Sequence, residues 1–237
     1  MSTIAIITAR GGSKRIPKKN IKEFAGRPIL AYTIEAALQS GVFDEVMVST
    51  DSEEIARIAL EYGASVPFFR SEKTANDYAA TADVVAEVLE EYKKLGKSFD
   101  VFCCLYPTAP FITGDRLKEA WEKMLQAGAP GILPVTAFSF PPQRCFVVAQ
   151  DGSLRYKWPE YRTARSQDLE KYYHDAGQFY FGRTQCFLKE KTVVPAGVLP
   201  LILDETEVQD IDNETDWILA ELKYKLLRST RENETEA

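Results

Sequence analysis

Short apolar runs alternate with amphipathic segments up to about Thr136, and this alternation constrains the fold more than any other feature of the chain. The runs that predict strands are TIAIIT, FDEVMVST, ASVPFF, DVFCCLY and GILPVT. The segments that predict helices are RPILAYTIEAALQSG, DSEEIARIALEYG, Thr81–Lys94 and TGDRLKEAWEKMLQAG. Strands that alternate with helices predict an α/β fold with a Rossmann-like, doubly wound and mostly parallel sheet.

Residue spacing also predicts how the first two helices pack and end. Four apolar residues of the first helix share the face that should meet the core: Leu30, Ile34, Ala37 and Leu38. Gly41 is of the type that ends a helix, and either Asp51 or Ser52 is suited to cap the second helix.

The second half of the chain loses the alternation and predicts a β-rich insertion in an otherwise single domain. The segment FSFPPQRCFVVAQDGSLRY is typical of a hairpin that turns at Asp151 and Gly152. A polar, irregular stretch follows, and then QFYFG and VLPLIL predict strands. The segment NETDWILAELKYKLL predicts a closing helix capped near Asn213. We therefore expect one domain over residues 1–228, an insertion at about 137–177 and a flexible polar tail over 229–237.

The composition indicates a globular protein and excludes several functional classes. The 237 residues are 45% hydrophobic and 27% charged, and no apolar run approaches the roughly 20 residues that a membrane helix needs. The start of the chain lacks a signal-peptide pattern, and the four cysteines form no C-x-x-C pair. We therefore expect a cytoplasmic protein that does not contact membranes, and the net charge of −6 argues against nucleic-acid binding.

A strongly basic loop follows the first predicted strand of this acidic chain. Thr8–Asn20 reads TARGGSKRIPKKN, with five cations, no acid and a Gly-Gly pair. Ligands of open parallel sheets bind at the carboxyl ends of strands, and successive backbone N–H groups can surround a phosphate there. The loop matches neither the Walker A motif nor G-x-G-x-x-G. The pattern favours a phosphate site, and a solvated basic loop is the alternative.

A second candidate site lies late in the chain, in the acidic stretch QDIDNETD. If this stretch is extended, the carboxylates of Asp210 and Asp212 point to the same side and can share one hard cation such as Mg²⁺. Taken alone, an acidic stretch before a helix favours capping of that helix over metal binding. Together with a phosphate loop elsewhere in the chain, however, the acidic stretch favours metal binding.

Two further features of the sequence carry less information. The stretch LYPTAPF after the fourth predicted strand suits either a ligand wall or a rigid turn. His174 is the single histidine, and no serine or cysteine stands in a triad motif, so hydrolysis by a nucleophilic side chain is not predicted.

Four motifs occur in the order expected for one enzyme family and span about Ile4 to Trp217. They are ARGGSKRIPKKN, VSTDSEEIA, LYPTAPF and DIDNETD. Together they resemble the CMP-sialic acid synthetase family, cytidylyltransferases that act on nine-carbon acidic sugars. The sialic acid branch usually has Gln-Pro-Thr-Ser-Pro and Asn-Gly-Ala where this chain has Tyr106–Pro110 and Asp175–Gln178. In the stretches YPTAPF and HDAGQFYFG the chain is instead similar to the pseudaminic acid cytidylyltransferases.

The resemblance implies that CTP and a nonulosonic acid react to give a CMP-sugar and pyrophosphate, on a nucleotide-diphospho-sugar transferase fold. It implies a nucleotide site formed by Arg10, Gly11, Gly12, Ser13, Lys14, Lys19 and Asn20. The implied catalytic residues are Arg10, Lys14, Lys19, Asp210 and Asp212. The two aspartates would hold Mg²⁺, or Mn²⁺ in its place. The implied sugar pocket consists of Arg70, Tyr106, Thr108, Arg165, Asp175 and Gln178.

The resemblance also implies a homodimer in which the insertion reaches the neighbouring active site, with Arg162 or Arg165 meeting the sugar carboxylate or a phosphate. N-acetylneuraminic acid, legionaminic acid and Kdo are alternative sugars. An alternative of another class is a regulator that binds a nucleotide without catalysis. The presence of Asp210 and Asp212 together with Lys14 and Lys19 argues against that alternative.

Overall fold

The structure is a computed structural model that describes the backbone of residues 1–235 and the side chains of residues 1–229. Its strands are β1 (Thr3–Thr8), β2 (Glu23–Phe24), β3 (Arg27–Pro28), β4 (Glu45–Ser49), β5 (Val101–Leu105), β6 (Gly131–Ala137), β7 (Phe146–Val148), β8 (Leu154–Tyr156), β9 (Tyr173–Asp175), β10 (Phe179–Arg183) and β11 (Leu199–Ile202). Its α-helices are α1 (Ile29–Ser40), α2 (Glu53–Glu61), α3 (Glu72–Ala75), α4 (Thr81–Lys94), α5 (Gly114–Gln126), α6 (Thr184–Glu190) and α7 (Glu214–Thr235).

A seven-stranded mixed sheet forms the centre of the fold. Six strands follow the order β11-β6-β10-β5-β1-β4, and β9 pairs with β6. β1 is parallel to both β4 and β5, and β11 is parallel to β6. β10 runs antiparallel to its neighbours β5 and β6. The predicted doubly wound α/β sheet is confirmed, with β9 and β10 as its antiparallel strands.

Both faces of the sheet are covered, which explains why its strands are apolar along their whole length. Ala5 and Ile7 of β1 pack into one core cluster with helices α1, α2 and α5. Ile4 and Ile6 point to the other face and pack with residues of α4. A strand that is buried on both faces shows no polar alternation.

A third core cluster packs the closing helix α7 against β2 and α1. Phe24 makes edge-to-face contacts with Tyr32 of α1 and with Trp217 and Tyr224 of α7, at centroid distances of 5.5, 5.6 and 5.5 Å. Such aromatic pairs contribute about 0.5–1.5 kcal/mol each beyond their burial. This packing holds the residues just before α7 next to the loop after β1, so it brings together two segments that are far apart in sequence.

Several predictions about local structure are confirmed. Gly41 adopts the left-handed conformation directly after α1, with φ of 66°. The Ser52 hydroxyl accepts a hydrogen bond from the backbone N–H of Ile55 and thereby caps α2. The β7–β8 hairpin turns at Asp151 and Gly152, as expected.

Other local predictions are wrong. ASVPFF forms no strand and contributes only an isolated bridge between Ser65 and Met47. Leu38 is 45% exposed, because the buried face of α1 centres on Leu30, Ile34 and Ala37. The polar stretch after the hairpin contains β9, which pairs with β6.

The closing helix also continues past the predicted start of a flexible tail at residue 229. The backbone is helical to Thr235. Residues 236–237 of the predicted tail lie outside the described residues. In the described part of the chain, no helix is long and apolar enough to cross a membrane.

Candidate active site

A cleft of about 520 Å³ opens where β1 and β5 end, beside the loop that follows β1. Thr8 is the last residue of β1, and Tyr106 directly follows β5. The cleft is lined by Thr8, Arg10, Ser13, Lys14, Arg15, Lys19, Asn20, Arg70, Thr74, Asn76, Asp77, Ala79, Thr81, Val84, Tyr106, Pro107 and Thr108. The structure therefore places the predicted phosphate loop at the predicted end of the sheet.

The loop after β1, residues 9–20, is held in shape by its own polar groups. The Asn20 side-chain amide donates to the Arg10 carbonyl at 2.8 Å, and the Ser13 hydroxyl donates to the Ile16 carbonyl at 2.7 Å. Ile16 is fully buried and anchors the middle of the loop. Lys18 has a left-handed φ of 53° immediately before a short 3-10 turn, a conformation that is uncommon for residues other than glycine. The loop therefore has a defined conformation without a bound ligand.

The two glycines of this loop have different surroundings. The Gly11 N–H donates to an Asp51 carboxylate oxygen at 2.8 Å, and a Cβ at Gly11 would lie 3.2 Å from the Cβ of Ser52. Gly12 has open space where its Cβ would be. Neither residue lines the cleft. In the structure, the close backbone approach at Gly11 is to the start of α2, and the predicted contact of both glycines with a nucleotide stays a prediction.

Arg10 and Lys14 converge on a single carboxylate. The Arg10 Nη1 atom lies 2.5 Å from Asp77 Oδ1, and the Lys14 Nζ atom lies 2.5 Å from Asp77 Oδ2. Hydrogen bonds from Lys14 and Arg10 lower the pKa of Asp77. The two cations therefore already form a site for two oxygens of one anionic group, in a geometry that a phosphate could also use.

Lys19 connects the same loop to the acidic stretch before α7. Its ammonium donates to the Ile211 carbonyl at 2.6 Å and lies 3.9 Å from Asp212 Oδ1. Burial lowers the pKa of Lys19, and the charges of Asp212 and Asp210 oppose that shift. Arg15 completes the connection through a 2.7 Å ion pair with Asp212.

Asp210 and Asp212 lie close enough to influence each other. Burial raises the pKa of Asp210, and the charge of Asp212 raises it further. Asp216 caps α7 by accepting hydrogen bonds from the backbone N–H groups of Asp212 and Asn213. The capping role that the sequence left open thus belongs to Asp216 and Asn213, while Asp210 and Asp212 do not serve as caps.

The donor set of this pair suits a hard cation that also binds phosphate. Within the described residues, no group of three or more His, Cys, Asp or Glu side chains could hold a metal alone. Mg²⁺ binds through one or two carboxylates plus substrate phosphates and water, so two aspartates beside a phosphate loop fit its preference. Burial and, after it, the charge of Asp212 raise the pKa of Asp210, and a bound cation would oppose both effects.

Arg70 forms the deep wall of the cleft. It is 8% exposed, and burial lowers the pKa of its guanidinium. Its Nε and Nη2 atoms donate to the hydroxyl and the carbonyl of Ser49 at 3.1 and 2.8 Å. A buried cation that is held rigidly at the bottom of a cleft suits a polar or anionic ligand.

Tyr106 and Thr108 line the same cleft, as predicted for a sugar pocket. The Tyr106 hydroxyl lies 3.1 Å from Thr81 Oγ1, at the start of α4. The Tyr106 ring lies 5.5 Å from the ring of Tyr180, measured between centroids. The aromatic wall of the cleft is therefore fixed from two sides.

Three of the predicted sugar residues do not line this cleft. The Asp175 carboxylate accepts from the Gly177 N–H and from the Tyr180 hydroxyl at 2.7 and 2.5 Å. The Gln178 side chain is buried and donates to the Glu207 carbonyl at 2.6 Å. Arg165 pairs with Asp168 within the insertion. Within one chain, these three residues support structure at other positions.

Sequence reasoning missed the segment between α3 and α4 as part of the site. Five residues of this region line the cleft: Thr74, Asn76, Asp77, Ala79 and Thr81. Glu87 of α4 anchors the start of this segment: its carboxylate accepts hydrogen bonds from the hydroxyls of Ser71 and Thr74, at 2.7 and 2.6 Å. The signal available in the sequence was the polar stretch TANDYAAT between two apolar elements.

Comparison with known proteins identifies the family. A family model described as cytidylyltransferase matches residues 4–220, which is most of the chain. The chain belongs to the cytidylyltransferase family. The predicted family and enzyme class, a CTP-dependent nucleotidyltransferase, are thereby confirmed.

Curated relatives of this cytidylyltransferase include a pseudaminic acid cytidylyltransferase from Campylobacter jejuni, 42% identical over 95% of this chain and 97% of the relative. A CMP-N,N'-diacetyllegionaminic acid synthase from Legionella pneumophila is 35% identical, with the same coverage of both chains. Among solved structures, a CMP-2-keto-3-deoxy-manno-octonic acid synthetase in complex with CTP matches with a TM-score of 0.68 at 19% identity. That match covers 97% of this chain and the whole of the other. It confirms the nucleotidyltransferase-type fold.

Proposed function

We propose that this cytidylyltransferase activates pseudaminic acid, converting CTP and the sugar acid into the CMP-sugar and pyrophosphate. The observation that carries the proposal is the meeting of Arg10, Lys14 and Lys19 with the Asp210–Asp212 pair beside one cleft. A nucleoside triphosphate carries about four negative charges and needs cations from both the protein and a metal. The 42% identical relative, a pseudaminic acid cytidylyltransferase, supports the choice of sugar.

In the proposed reaction, the anomeric hydroxyl of the sugar attacks the α-phosphorus of CTP in line. A bond forms between that oxygen and the α-phosphorus, and the hydroxyl proton leaves to solvent. The bond from the α-phosphorus to the oxygen that bridges to the β-phosphate breaks, and pyrophosphate leaves. Arg10 and Lys14 would hold the outer phosphates, and Ser13 and Asn20 would position the nucleotide. Lys19 would stabilise the charge that develops at the α-phosphate. Catalysis of this type consists mainly of positioning and charge stabilisation.

Asp210 and Asp212 would hold Mg²⁺, and Mn²⁺ could replace it. When bound, the metal would neutralise phosphate oxygens and help to align the attacking hydroxyl. Arg15 already pairs with Asp212, so this arginine would exchange the carboxylate for a phosphate oxygen when the nucleotide and its metal enter.

The sugar pocket is proposed in the same cleft as the phosphate loop. Arg70, Tyr106 and Thr108 line it. A buried arginine offers charge to a carboxylate, and a tyrosine and a threonine offer hydroxyls to a sugar. The pocket also suits a related acid, so the legionaminic and N-acetylneuraminic acids are the alternative substrates.

We also propose a homodimer that forms through the insertion, and a cytoplasmic location. The insertion exposes several large apolar side chains, an arrangement that often marks a protein interface. They include Phe140, Phe146, Val148 and Leu154, which are 84, 53, 72 and 65% exposed. A partner's insertion would bring its Arg162 or Arg165 to the sugar pocket. Light scattering of the purified protein tests the dimer, with Val148→Asp expected to give a monomer.

The deciding experiment measures pyrophosphate release from CTP with a panel of nonulosonic acids, each with Mg²⁺ and with EDTA. We expect release with pseudaminic acid and Mg²⁺ only. Turnover with legionaminic or sialic acid instead would refute the proposed sugar and keep the reaction. CTP binding without release for any sugar would favour a nucleotide-binding regulator.

Asp210→Asn and Asp212→Asn test the proposed metal ligands. Both variants should keep the fold and lose Mg²⁺-dependent turnover, since each removes a carboxylate charge from the cation site. Asp216→Asn is the matched control in the same stretch, because Asp216 caps α7. The amide keeps one acceptor oxygen, so the variant should lower stability by no more than about 1 kcal/mol and leave the metal requirement unchanged. Full activity of a folded Asp210→Asn protein would remove this residue from the site.

A further inference from the structure

Asp77 places a carboxylate inside the proposed triphosphate site. Its two oxygens bind the two cleft cations separately, Arg10 Nη1 at 2.5 Å and Lys14 Nζ at 2.5 Å. All three residues line the same cleft. A carboxylate and a phosphate group offer the same kind of charged acceptor oxygens to arginine and lysine. Asp77 therefore occupies the positions that phosphate oxygens would need.

The segment that carries Asp77 can move without disturbing the core. It lies between α3 and α4, and Tyr78 in the next position is 97% exposed. Local bonds shape the segment: Asn76 donates to the Lys73 carbonyl at 2.7 Å, and the Tyr78 N–H donates to the Asn76 side chain at 2.8 Å. Few buried contacts and fixed ends are typical of segments that open at low energetic cost.

The cations held by Asp77 are also free to change partner. The Lys14 side chain is 79% exposed, so it can follow a phosphate with little loss of packing. The Asp77 side chain is itself 37% exposed, so water can solvate its carboxylate when the cations change partner. Exposed ion pairs are weak and exchange readily.

We propose that Asp77 sets how tightly the site holds a polyphosphate: it is a competing carboxylate that ligands with a polyphosphate displace and ligands without one do not. The inference rests on the proposed function, since it assigns Arg10 and Lys14 to the outer phosphates of CTP. In the empty enzyme Asp77 pairs with both cations and cancels one of their two positive charges. CTP supplies enough phosphate oxygens to replace it, whereas the single phosphate of CMP lies at the α-position. The cost of displacing Asp77 therefore lowers the affinity for CTP itself. After the reaction, the same competition lowers the affinity for pyrophosphate and favours its release.

Asp77→Asn removes the competing charge and keeps the shape of the side chain. Its effect is read from the dissociation constants of CTP, inorganic triphosphate and CMP, measured by calorimetry in EDTA at fixed ionic strength. Two exposed ion pairs correspond to a gain in affinity of about 2- to 25-fold. We expect this gain for CTP and for triphosphate, with CMP unchanged.

Glu54→Gln is the matched control, because Glu54 pairs with Lys18 of the same loop at 2.7 Å and neither residue lines the cleft. It makes the same change in net charge and should leave all three constants unchanged. Asp77→Glu, which keeps the charge, should retain most of the competition.

The outcomes separate this inference from the proposed function. Equal or weaker CTP binding by Asp77→Asn, an equal gain for CMP, or the same gain in Glu54→Gln would overturn the inference. Failure of triphosphate to bind any of the proteins would overturn it as well. Tighter triphosphate binding by Asp77→Asn, in a protein that does not bind CTP, would support the role of Asp77 and refute the proposed function.

Discussion

Lys19→Met is the substitution that most directly tests the chemistry assigned to the loop after β1. The Lys19 ammonium is 20% exposed, donates to the Ile211 carbonyl at 2.6 Å and lies 3.9 Å from Asp212. Methionine has a similar length and removes only the charge and the donor. The variant therefore loses one hydrogen bond across the cleft and one cation next to the proposed α-phosphate site.

The two losses have different sizes. A hydrogen bond from a charged donor contributes about 1.5–3 kcal/mol to stability. The free energy of unfolding should therefore decrease by that amount in the variant. Removal of a positioned group that stabilises developing charge costs about 10²–10³ in rate. Because the charge develops at the transition state, we expect kcat to fall by that factor while KM for CTP changes much less.

The assay combines the kinetics of pyrophosphate release with urea unfolding of the same protein. Lys18→Met is the matched control: the Lys18 side chain is 66% exposed, pairs with Glu54 and does not line the cleft. Its stability should stay within about 0.5 kcal/mol of the wild-type value, with kcat unchanged. A folded Lys19→Met enzyme that keeps the kcat of Lys18→Met would refute the assignment of Lys19 to the transition state.

Two further predictions concern stability. Gly182→Ala places a Cβ 2.6 Å from the ring of buried Phe102, so urea unfolding should show a loss of about 1–3 kcal/mol, and an unchanged midpoint would contradict this packing. Burial opposes the pKa shift of Glu87, but hydrogen bonds from Ser71 and Thr74 outweigh it and lower that pKa. The contribution of Glu87 is thus present above its unfolded pKa of about 4.3 and is lost as the pH falls below it. The free energy of unfolding, measured between pH 6 and 3, should decline less steeply with falling pH in Glu87→Gln than in the wild-type protein. Parallel curves for the two proteins would contradict the assignment.

The order and type of the main elements follow from the sequence because the pattern of apolar and polar residues in each element reflects which of its faces are buried. β1 is apolar throughout since both of its faces are covered, and Gly41 and Ser52 mark helix ends by local chemistry. ASVPFF fails as a strand although it is apolar, because only Ser65 pairs with β4: its N–H donates to the Val46 carbonyl and its carbonyl accepts from the Val48 N–H. Strand formation depends on a partner at the right distance, and the spacing of apolar residues within one segment does not report that.

The candidate site was predictable where one segment carries its own chemistry. Arg10, Lys14 and Lys19 were found because they lie on one loop, and the structure places them beside one cleft. Asp77 was not found, since its role depends on contact with Arg10 across 67 positions of sequence. Gln178 was assigned to the sugar by resemblance, whereas its buried side chain donates to the Glu207 carbonyl.

Carboxylates of the chain itself compensate part of the positive charge of the basic loop, and this connects the loop to the acidic character of the whole chain. Arg10 and Lys14 share Asp77, while Arg15 pairs with Asp212. Without these carboxylates, cations concentrated on one loop would repel each other and attract any anion. With them, a ligand must supply both negative charge for the cations and, through its metal, positive charge for Asp212. A metal-bound triphosphate offers both at once, so we infer that the paired arrangement favours that ligand over a simple anion or a free metal ion.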